Sequence, residues 1–178
     1  MSGAGAAALA EVYTFHMSSG KDVCMQKELR RKERALTTEE ALELLGRGEY
    51  GVLSTISADG APYGVPVNYC VDDGRVYFHC AVEGHKLENI TADNRVSFCV
   101  VGAAEVLPDQ FATRYESVIV SGRAEEVFDA EKQRALEGLV TKYSSRFMPE
   151  GMRYIEAKAG RTRVFRFAIE EISGKARR

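Results

Sequence analysis

Hydrophobic and polar positions change their spacing several times along the chain, and these changes divide it into short segments. Thr37 and Glu40 have capping-box spacing and precede apolar residues that recur as on one face of a helix. A second helical pattern covers 86–94. A third follows Asp129, whose carboxylate we expect to cap that helix.

Six runs rich in β-branched and aromatic residues predict strands. They cover 50–57, 61–71, 75–81, 95–101, 115–128 and 163–172. Asp-Gly turns separate the first three runs and favour antiparallel pairing. Pro62 and Pro66 remove backbone donors from the second run, so this strand must lie at a sheet edge or turn part of its backbone towards a ligand. Gly122 is a natural position for a bulge or bend in the fifth.

These elements predict one mainly β domain of the α+β class. We expect a six-stranded antiparallel sheet of Greek-key type with three or four short helices, closing into a small barrel that leaves few exposed edges. Residues 1–26 show no sustained period and are interpreted as a partly ordered arm, which leaves 27–178 as the domain. The segments 102–113 and the one around Pro149 and Gly151 are interpreted as loops.

Composition argues against several classes of partner. The chain has 24 Lys and Arg against 26 Asp and Glu, a net charge of −2, so no basic excess favours nucleic acid or anionic lipid. No apolar run approaches the roughly 20 residues that a membrane helix needs, and we expect a cytoplasmic protein. Four cysteines without a CxxC pair and three scattered histidines indicate no metal site, and the cysteines are interpreted mainly as small buried hydrophobes.

The segment from the second strand to the following helix contains the candidate chemistry. Gly84, His85 and Lys86 open that helix, where free amide groups, the helix dipole and an ammonium group favour a phosphate. A solvated helix cap would have the same three residues. Hydroxyls of Ser54 or Thr55 on the first strand are further candidate ligands.

Longer stretches of the sequence resemble a known family. They are RRKER, GVLSTISADGAPYGVPVNYC, VYFHCAVEGHKLENI, NRVSFCV, YESVIVSGRAEEV, KYSSRFMP and IEEISGK. From about residue 30 to residue 175, the chain resembles the flavin-binding split barrels related to pyridoxamine 5′-phosphate oxidase, and most closely their nitroimidazole-reductase-like branch.

The resemblance implies a homodimeric split barrel with FMN at the subunit interface. The residues that it assigns to the phosphate are His79, Cys80, Gly84, His85 and Lys86. The residues whose backbone it assigns to the flavin ring are Val67, Asn68 and Tyr69. His79 is a candidate catalytic residue that would contact the flavin or a substrate and transfer a proton, and the alternative is a core histidine bonded to backbone. Candidates for contacts from the partner subunit are Arg163, Arg30 and Arg31.

The implied activity is that of an FMN-dependent oxidoreductase. It would pass electrons from NADH or NADPH to a small electron-poor acceptor, for which a nitroimidazole is the candidate, and this would connect the chain to nitroimidazole resistance. Two departures argue against vitamin B6 oxidation. The oxidase has Ser-Arg-Lys where this chain has Gly84-His85-Lys86, and Arg-x-His where this chain has Arg161-Thr162-Arg163.

Two other functions remain open at the level of sequence. The chain could bind or sense a flavin without turnover, because no feature of the sequence marks a nicotinamide site. It could also bind haem, as some split barrels do, with His79 or His85 as the iron ligand.

Overall fold

The structure is a computed structural model that describes residues 29–178. The predicted arm, 1–26, therefore lies outside the described residues. Eight strands form one antiparallel sheet in the order β2-β1-β5-β6-β7-β4-β3, and β8 pairs with β6 beside this path. The strands are β1 Gly51–Ile56, β2 Pro62–Val67, β3 Tyr69–Asp72, β4 Arg75–Cys80, β5 Arg95–Leu107, β6 Ala112–Val127, β7 Arg163–Ala168 and β8 Glu171–Arg177.

Four α-helices lie within the described part of the chain. They are α1 Thr38–Arg47, α2 His85–Ala92, α3 Asp129–Ser144 and α4 Met148–Lys158. The predicted capping box is confirmed, because the Glu40 amide donates to Thr37 Oγ1 and the Thr37 amide to Glu40 Oε2. No helix in residues 29–178 is long and apolar enough to cross a membrane. A cytoplasmic location remains a prediction.

The difference between six predicted and eight observed strands comes from two breaks. The second predicted run divides into β2 and β3 at Asn68, and the last divides into β7 and β8. β2 pairs along its length with β1, and β3 pairs with β4, so the two ends of the hydrogen-bonded sheet are joined covalently through Asn68. β1 also pairs with β5, and β4 with β7, the non-sequential neighbours that a Greek key requires.

The antiparallel sheet with its helices confirms the predicted fold class, although the hydrogen-bonded sheet itself does not close. β2 has only β1 as a strand partner in residues 29–178, as its prolines predict. β4 alternates as expected: Val76, Phe78 and Cys80 belong to the main core, and Tyr77 belongs to a second cluster against α3 and α4.

Two predicted loops are wrong. The segment 102–113 is mostly strand, because β5 and β6 continue as a hairpin after a register shift between Val101 and Ala104. The segment around Pro149 and Gly151 is α4. Pro149 lies in the first helical turn, where its missing amide costs nothing, and Gly151 lets α4 approach Val140 of α3 closely.

The predicted cap at Asp129 is wrong, and of the bulge or bend predicted at Gly122 the bulge is wrong. Asp129 does not cap α3, whose N-cap is Phe128 without a side-chain hydrogen bond. Gly122 stays paired with Val96 without a bulge, and around it β6 changes its other partner from β8 to β7. A side chain at Gly122 would collide with the carbonyl of Ala168, so close packing explains this glycine.

Candidate functional site

The start of α2 has the features expected of an anion site. Gly84 has φ +132°, a conformation that favours glycine, and a Cβ there would meet no atom within 4 Å. Within the described part of the chain no side chain caps this helix, and the Leu87 and Glu88 amides donate to the Gly84 carbonyl. The amides of His85 and Lys86, at the first two helical positions, have no such partner within residues 29–178 and stay available to an external acceptor.

Lys86 lies half-buried beside the end of β4. Burial lowers the pKa of His79, and the Lys86 ammonium lowers it further. Burial raises the pKa of the Cys80 thiol, while Lys86 and Arg163 oppose that rise. Both cations therefore lie close enough to act on Cys80. Part of the His79 side chain remains exposed at the surface, and its lowered pKa favours a neutral imidazole at neutral pH.

Arg163 faces Cys80 across β4 and β7 and is held by its own chain. Its guanidinium binds the Glu126 carboxylate through two hydrogen bonds, with Nε 2.8 Å from Oε1. The guanidinium also lies 5.2 Å from the ring centroid of Phe165. The site thus contains a fixed cation, which the sequence suggested only as a residue that reaches the cofactor from the partner subunit. Arg30 and Arg31, the other candidates for that contact, are exposed.

The side chains of His85 and Lys86 point in different directions, because adjacent residues of a helix do not share a face. Its Nε2 lies 3.1 Å from Ser57 Oγ, and its ring centroid lies 4.4 Å from that of Tyr63. The imidazole therefore contacts the turn between β1 and β2, while Lys86 acts on β4.

Ser54 and Thr55 also face opposite sides of the sheet. Thr55 is buried, and its hydroxyl accepts from Asn89 Nδ2 at 3.0 Å and donates to the Tyr63 carbonyl at 3.4 Å. Because adjacent strand residues alternate, Ser54 lies on the outer face. The two hydroxyls therefore do not converge on a single ligand.

The predicted ring-contact segment contains the break between β2 and β3. Asn68 is exposed there, Val67 is half-buried, and the Tyr69 side chain is fully buried with its hydroxyl donating to the Leu45 carbonyl. The Tyr143 hydroxyl accepts from the Tyr69 amide at 3.0 Å and lies 2.9 Å from the Tyr69 carbonyl. Tyr69 therefore has few free polar groups, and Asn68 is the accessible residue of the three.

A cavity of about 690 Å³ opens between the sheet and the two helices α3 and α4. Asn68 and His79 both line it, which places two predicted site residues on one concave surface. Helix α4 forms one wall of this cavity, and the sequence was not predicted to be helical there. A signal was present, because Met148, Met152, Ile155 and Ala159 recur at helical spacing.

A second cavity of about 530 Å³ lies on the other side of Asn68 and Tyr143. Lys142 lines it, with Nζ 3.6 Å from the ring centroid of Tyr69. This ammonium is buried and has no hydrogen-bond partner in residues 29–178. Burial lowers the pKa of Lys142 to about 8, and the Cys70 thiol opposes the shift more weakly.

The sequence model of pyridoxamine 5′-phosphate oxidase matches residues 37–176. The chain belongs to the pyridoxamine 5′-phosphate oxidase family. The match spans every strand and helix described above except the final residue of β8, so the family assignment covers the whole sheet and both cavities. No curated protein matches the chain in sequence.

Solved structures share the fold of this family member. A FAD-binding protein from Mesorhizobium loti is 27% identical, with a TM-score of 0.60, and the match covers 82% of this chain and 98% of that one. A proposed 5-nitroimidazole antibiotic resistance protein from Bacteroides thetaiotaomicron is 20% identical, with a TM-score of 0.65 and coverage of 79% and 85%.

A FAD- and haem-binding protein from Mycobacterium smegmatis is 19% identical, with a TM-score of 0.70 and coverage of 80% and 73%. The fold of this pyridoxamine 5′-phosphate oxidase family member is thus one that binds flavin in some proteins and haem in others.

Proposed function

We propose that this chain binds FMN and passes electrons from NADH or NADPH to a small electron-poor acceptor, with a nitroimidazole as the first candidate. It would do so as a homodimer with FMN at the subunit interface. Bound FMN supplies the redox chemistry, and the protein binds it, orients it and excludes water.

The observation that carries this proposal is the cationic surface around Cys80. Lys86 and Arg163 both act on Cys80, and the uncapped start of α2 places amide groups beside Lys86. Two cations and a helix N-terminus match the charge and hydrogen-bonding needs of a phosphate dianion. The Glu126 carboxylate neutralises part of the Arg163 charge, so we assign Lys86 the larger contribution.

The proposed position of the ring follows from Asn68. This exposed residue interrupts the sheet and lines the cavity that also contains His79. A planar ring against the break would lie within reach of both. We propose FMN rather than FAD because the resemblance to nitroimidazole-reductase-like proteins implies FMN, while the FAD-binding relative supports a flavin of either kind.

The outer face of the sheet supports the proposed homodimer. Pro66, Val52, Cys99 and Ile119 stand opposite one another on β2, β1, β5 and β6 and form a short row. We call these four residues the outer row. Val52 is 36% exposed and Ile119 48%, a flat apolar surface of the kind that subunits cover.

The test of the function uses purified protein supplied separately with FMN and with FAD. The proposal predicts a yellow protein that retains FMN, bleaches anaerobically with NADH or NADPH and recovers its colour when a nitroimidazole is added. A protein that holds FMN but never bleaches would instead be a flavin-binding module. Failure to bind either flavin would contradict the proposal.

His79 is the proposed catalytic residue, since it lines the cavity and its lowered pKa favours a neutral imidazole that can exchange a proton. His79→Ala should keep FMN and slow acceptor reduction by about tenfold or more, measured by stopped-flow absorbance. Full turnover in this variant would eliminate the catalytic role.

Haem is a second candidate cofactor because an M. smegmatis neighbour binds both FAD and haem. His79 is the exposed imidazole that lines a cavity, whereas His85 contacts Ser57 and Tyr63. Titration with haemin would separate the two cofactors, because haem ligation by His79 produces an intense Soret band that His79→Ala would lose.

A further inference from the structure

The larger cavity has a charge distribution that phosphate binding at Lys86 does not explain. Lys158 and Arg161, at the end of α4 and just after it, both line this cavity and are exposed. Within residues 29–178, neither has a carboxylate within 4 Å. They are two uncompensated positive charges on one concave surface.

The next two arginines along the chain provide a contrast. Arg163 is held by Glu126, and Arg166 is held by Glu125 and Glu131. Among residues 29–178, acidic side chains therefore neutralise the two arginines of β7 and leave Lys158 and Arg161 at the cavity without an ion pair. A position in the last turn of α4 explains Lys158 in part, because a cation there complements the helix dipole, and Arg161 ends the 3-10 turn Ala159–Arg161 that follows α4.

Glu150, the one acidic residue that residues 29–178 contribute to the cavity lining, does not cancel these charges. Glu150 lies at the opposite end of α4, and its Oε1 is 3.6 Å from Arg153 Nη2. The neutral form of His79, which burial and Lys86 favour, adds little charge at neutral pH. The cavity is therefore net positive, and the excess lies at its Lys158 and Arg161 end.

The walls of the cavity are apolar and partly aromatic. Leu139 and Ile155 come from the facing sides of α3 and α4, and Phe147 and Tyr154 remain 63% and 65% exposed. Single exposed aromatic residues are ordinary, but two on one cavity leave a large apolar surface open to a ligand. The volume of about 690 Å³ lies within the range of small-molecule sites.

We propose that this cavity binds a planar aromatic carboxylate, with Lys158 and Arg161 holding the carboxylate while Phe147 and Tyr154 pack against the ring. We propose further that such a compound is the electron acceptor, because His79 and Asn68 line both this cavity and the proposed flavin-ring site. This second step rests on the proposed function. The binding itself does not depend on it.

The test compares two probes that differ in charge and hardly in shape, 4-nitrobenzoate and 4-nitrobenzamide. Calorimetric titration of the purified protein, with and without FMN, should show that 4-nitrobenzoate binds at least about fivefold more tightly than 4-nitrobenzamide. This is the difference in affinity expected from one or two partly solvated ion pairs. Lys158→Gln combined with Arg161→Gln should abolish the preference. The control Arg123→Gln removes one positive charge from β6, outside both cavities, and should leave the preference unchanged.

Charge reversal provides a second readout from exposed residues whose replacement should not disturb folding. Lys158→Glu combined with Arg161→Glu should lose 4-nitrobenzoate and bind 4-nitrobenzylamine instead. Equal affinity for benzoate and benzamide, no binding of either, or a preference that survives the double glutamine change would each overturn the proposal. Failure to bind FMN, with the carboxylate preference intact, would instead refute the proposed function alone.

Discussion

Tyr143 is the residue that fixes the break between the two ends of the sheet. Its hydroxyl lies within hydrogen-bond distance of the amide and carbonyl of Tyr69 and of the Glu49 carbonyl, which ties α3 to β3 and to the segment after α1. Asn68 directly precedes Tyr69. The hydrogen bonds between Tyr143 and the Tyr69 backbone therefore also fix the position of Asn68, the accessible residue of the proposed ring site.

Tyr143→Phe should therefore lower the free energy of unfolding by about 1–2 kcal/mol, because the Tyr69 amide would lose its partner in a half-buried place. Urea unfolding measures the change. Tyr154→Phe, which removes an exposed hydroxyl from α4, serves as the control and should change stability by less than about 0.5 kcal/mol. Equal effects of the two substitutions would contradict the assigned role.

Lys142 makes stability depend on pH. Burial lowers its pKa in the folded protein from 10.5 to about 8, so the unfolded chain binds more protons between these two values. The contribution of Lys142 to the free energy of unfolding must then rise with pH across this window. Partial exposure and the contact with the Tyr69 ring reduce the cost of the charged form to about 1 kcal/mol.

Lys142→Met should be more stable than the natural chain by about 1 kcal/mol at pH 7, and the advantage should shrink towards pH 10. Denaturant unfolding at several pH values checks this, with Lys175→Met on β8 as a substitution outside both cavities. A difference that stays constant with pH would show that Lys142 titrates normally.

At the scale of elements, the end of α1 shows how two nearby glycines differ. Gly46 has no atom within 4 Å of a built Cβ, whereas a Cβ on Gly48 would overlap Val100 and lie 2.7 Å from the Tyr69 hydroxyl. Gly46→Ala should stabilise the protein by about 0.5–1 kcal/mol, because alanine favours the helix. Gly48→Ala should destabilise it by about 1–3 kcal/mol through overpacking.

Thermal unfolding of the two alanine variants would measure these opposite shifts in melting temperature. Loss of stability in both would mean that the helix end, rather than the packing against Val100, decides the effect.

The elements also show what could be predicted from sequence. The capping box of α1, the turns of the first hairpins and the alternation of β4 depend on local residue chemistry, and all three were predictable. α4 and the β5–β6 hairpin were not, since Pro149, Gly151 and Pro108 are usual loop signals. Pro149 is tolerated because it lies in the first turn of α4, and Gly151 because it lies close against Val140 of α3.

The candidate site also combines features that could be predicted from local sequence with features that could not. The helix start at Gly84 and the proximity of Lys86 to β4 were predictable from spacing, because a short loop connects them. The pairing of Arg163 with Glu126 and the cavity between α3 and α4 were not, because they depend on how distant elements pack.

At the scale of the whole molecule, the outer row leads to a prediction about assembly. Ile119→Arg places a charge at the β6 end of the outer row and should convert the proposed dimer to a monomer, observed as a halved mass in light scattering. Phe128→Arg, an exposed apolar position outside the row, is the matched control and should leave the mass unchanged. A natural chain that is already monomeric would contradict the proposed interface.

The most direct test of the proposed phosphate site compares the affinities of FMN and riboflavin, which differ only by the phosphate. A phosphate site at Lys86 predicts that the protein prefers FMN by about a hundredfold or more and that Lys86→Gln removes most of that preference while riboflavin affinity changes little. Fluorescence quenching of each flavin measures both constants. Equal affinity of the natural chain for FMN and riboflavin, or an FMN preference that Lys86→Gln leaves intact, would contradict a phosphate site at Lys86.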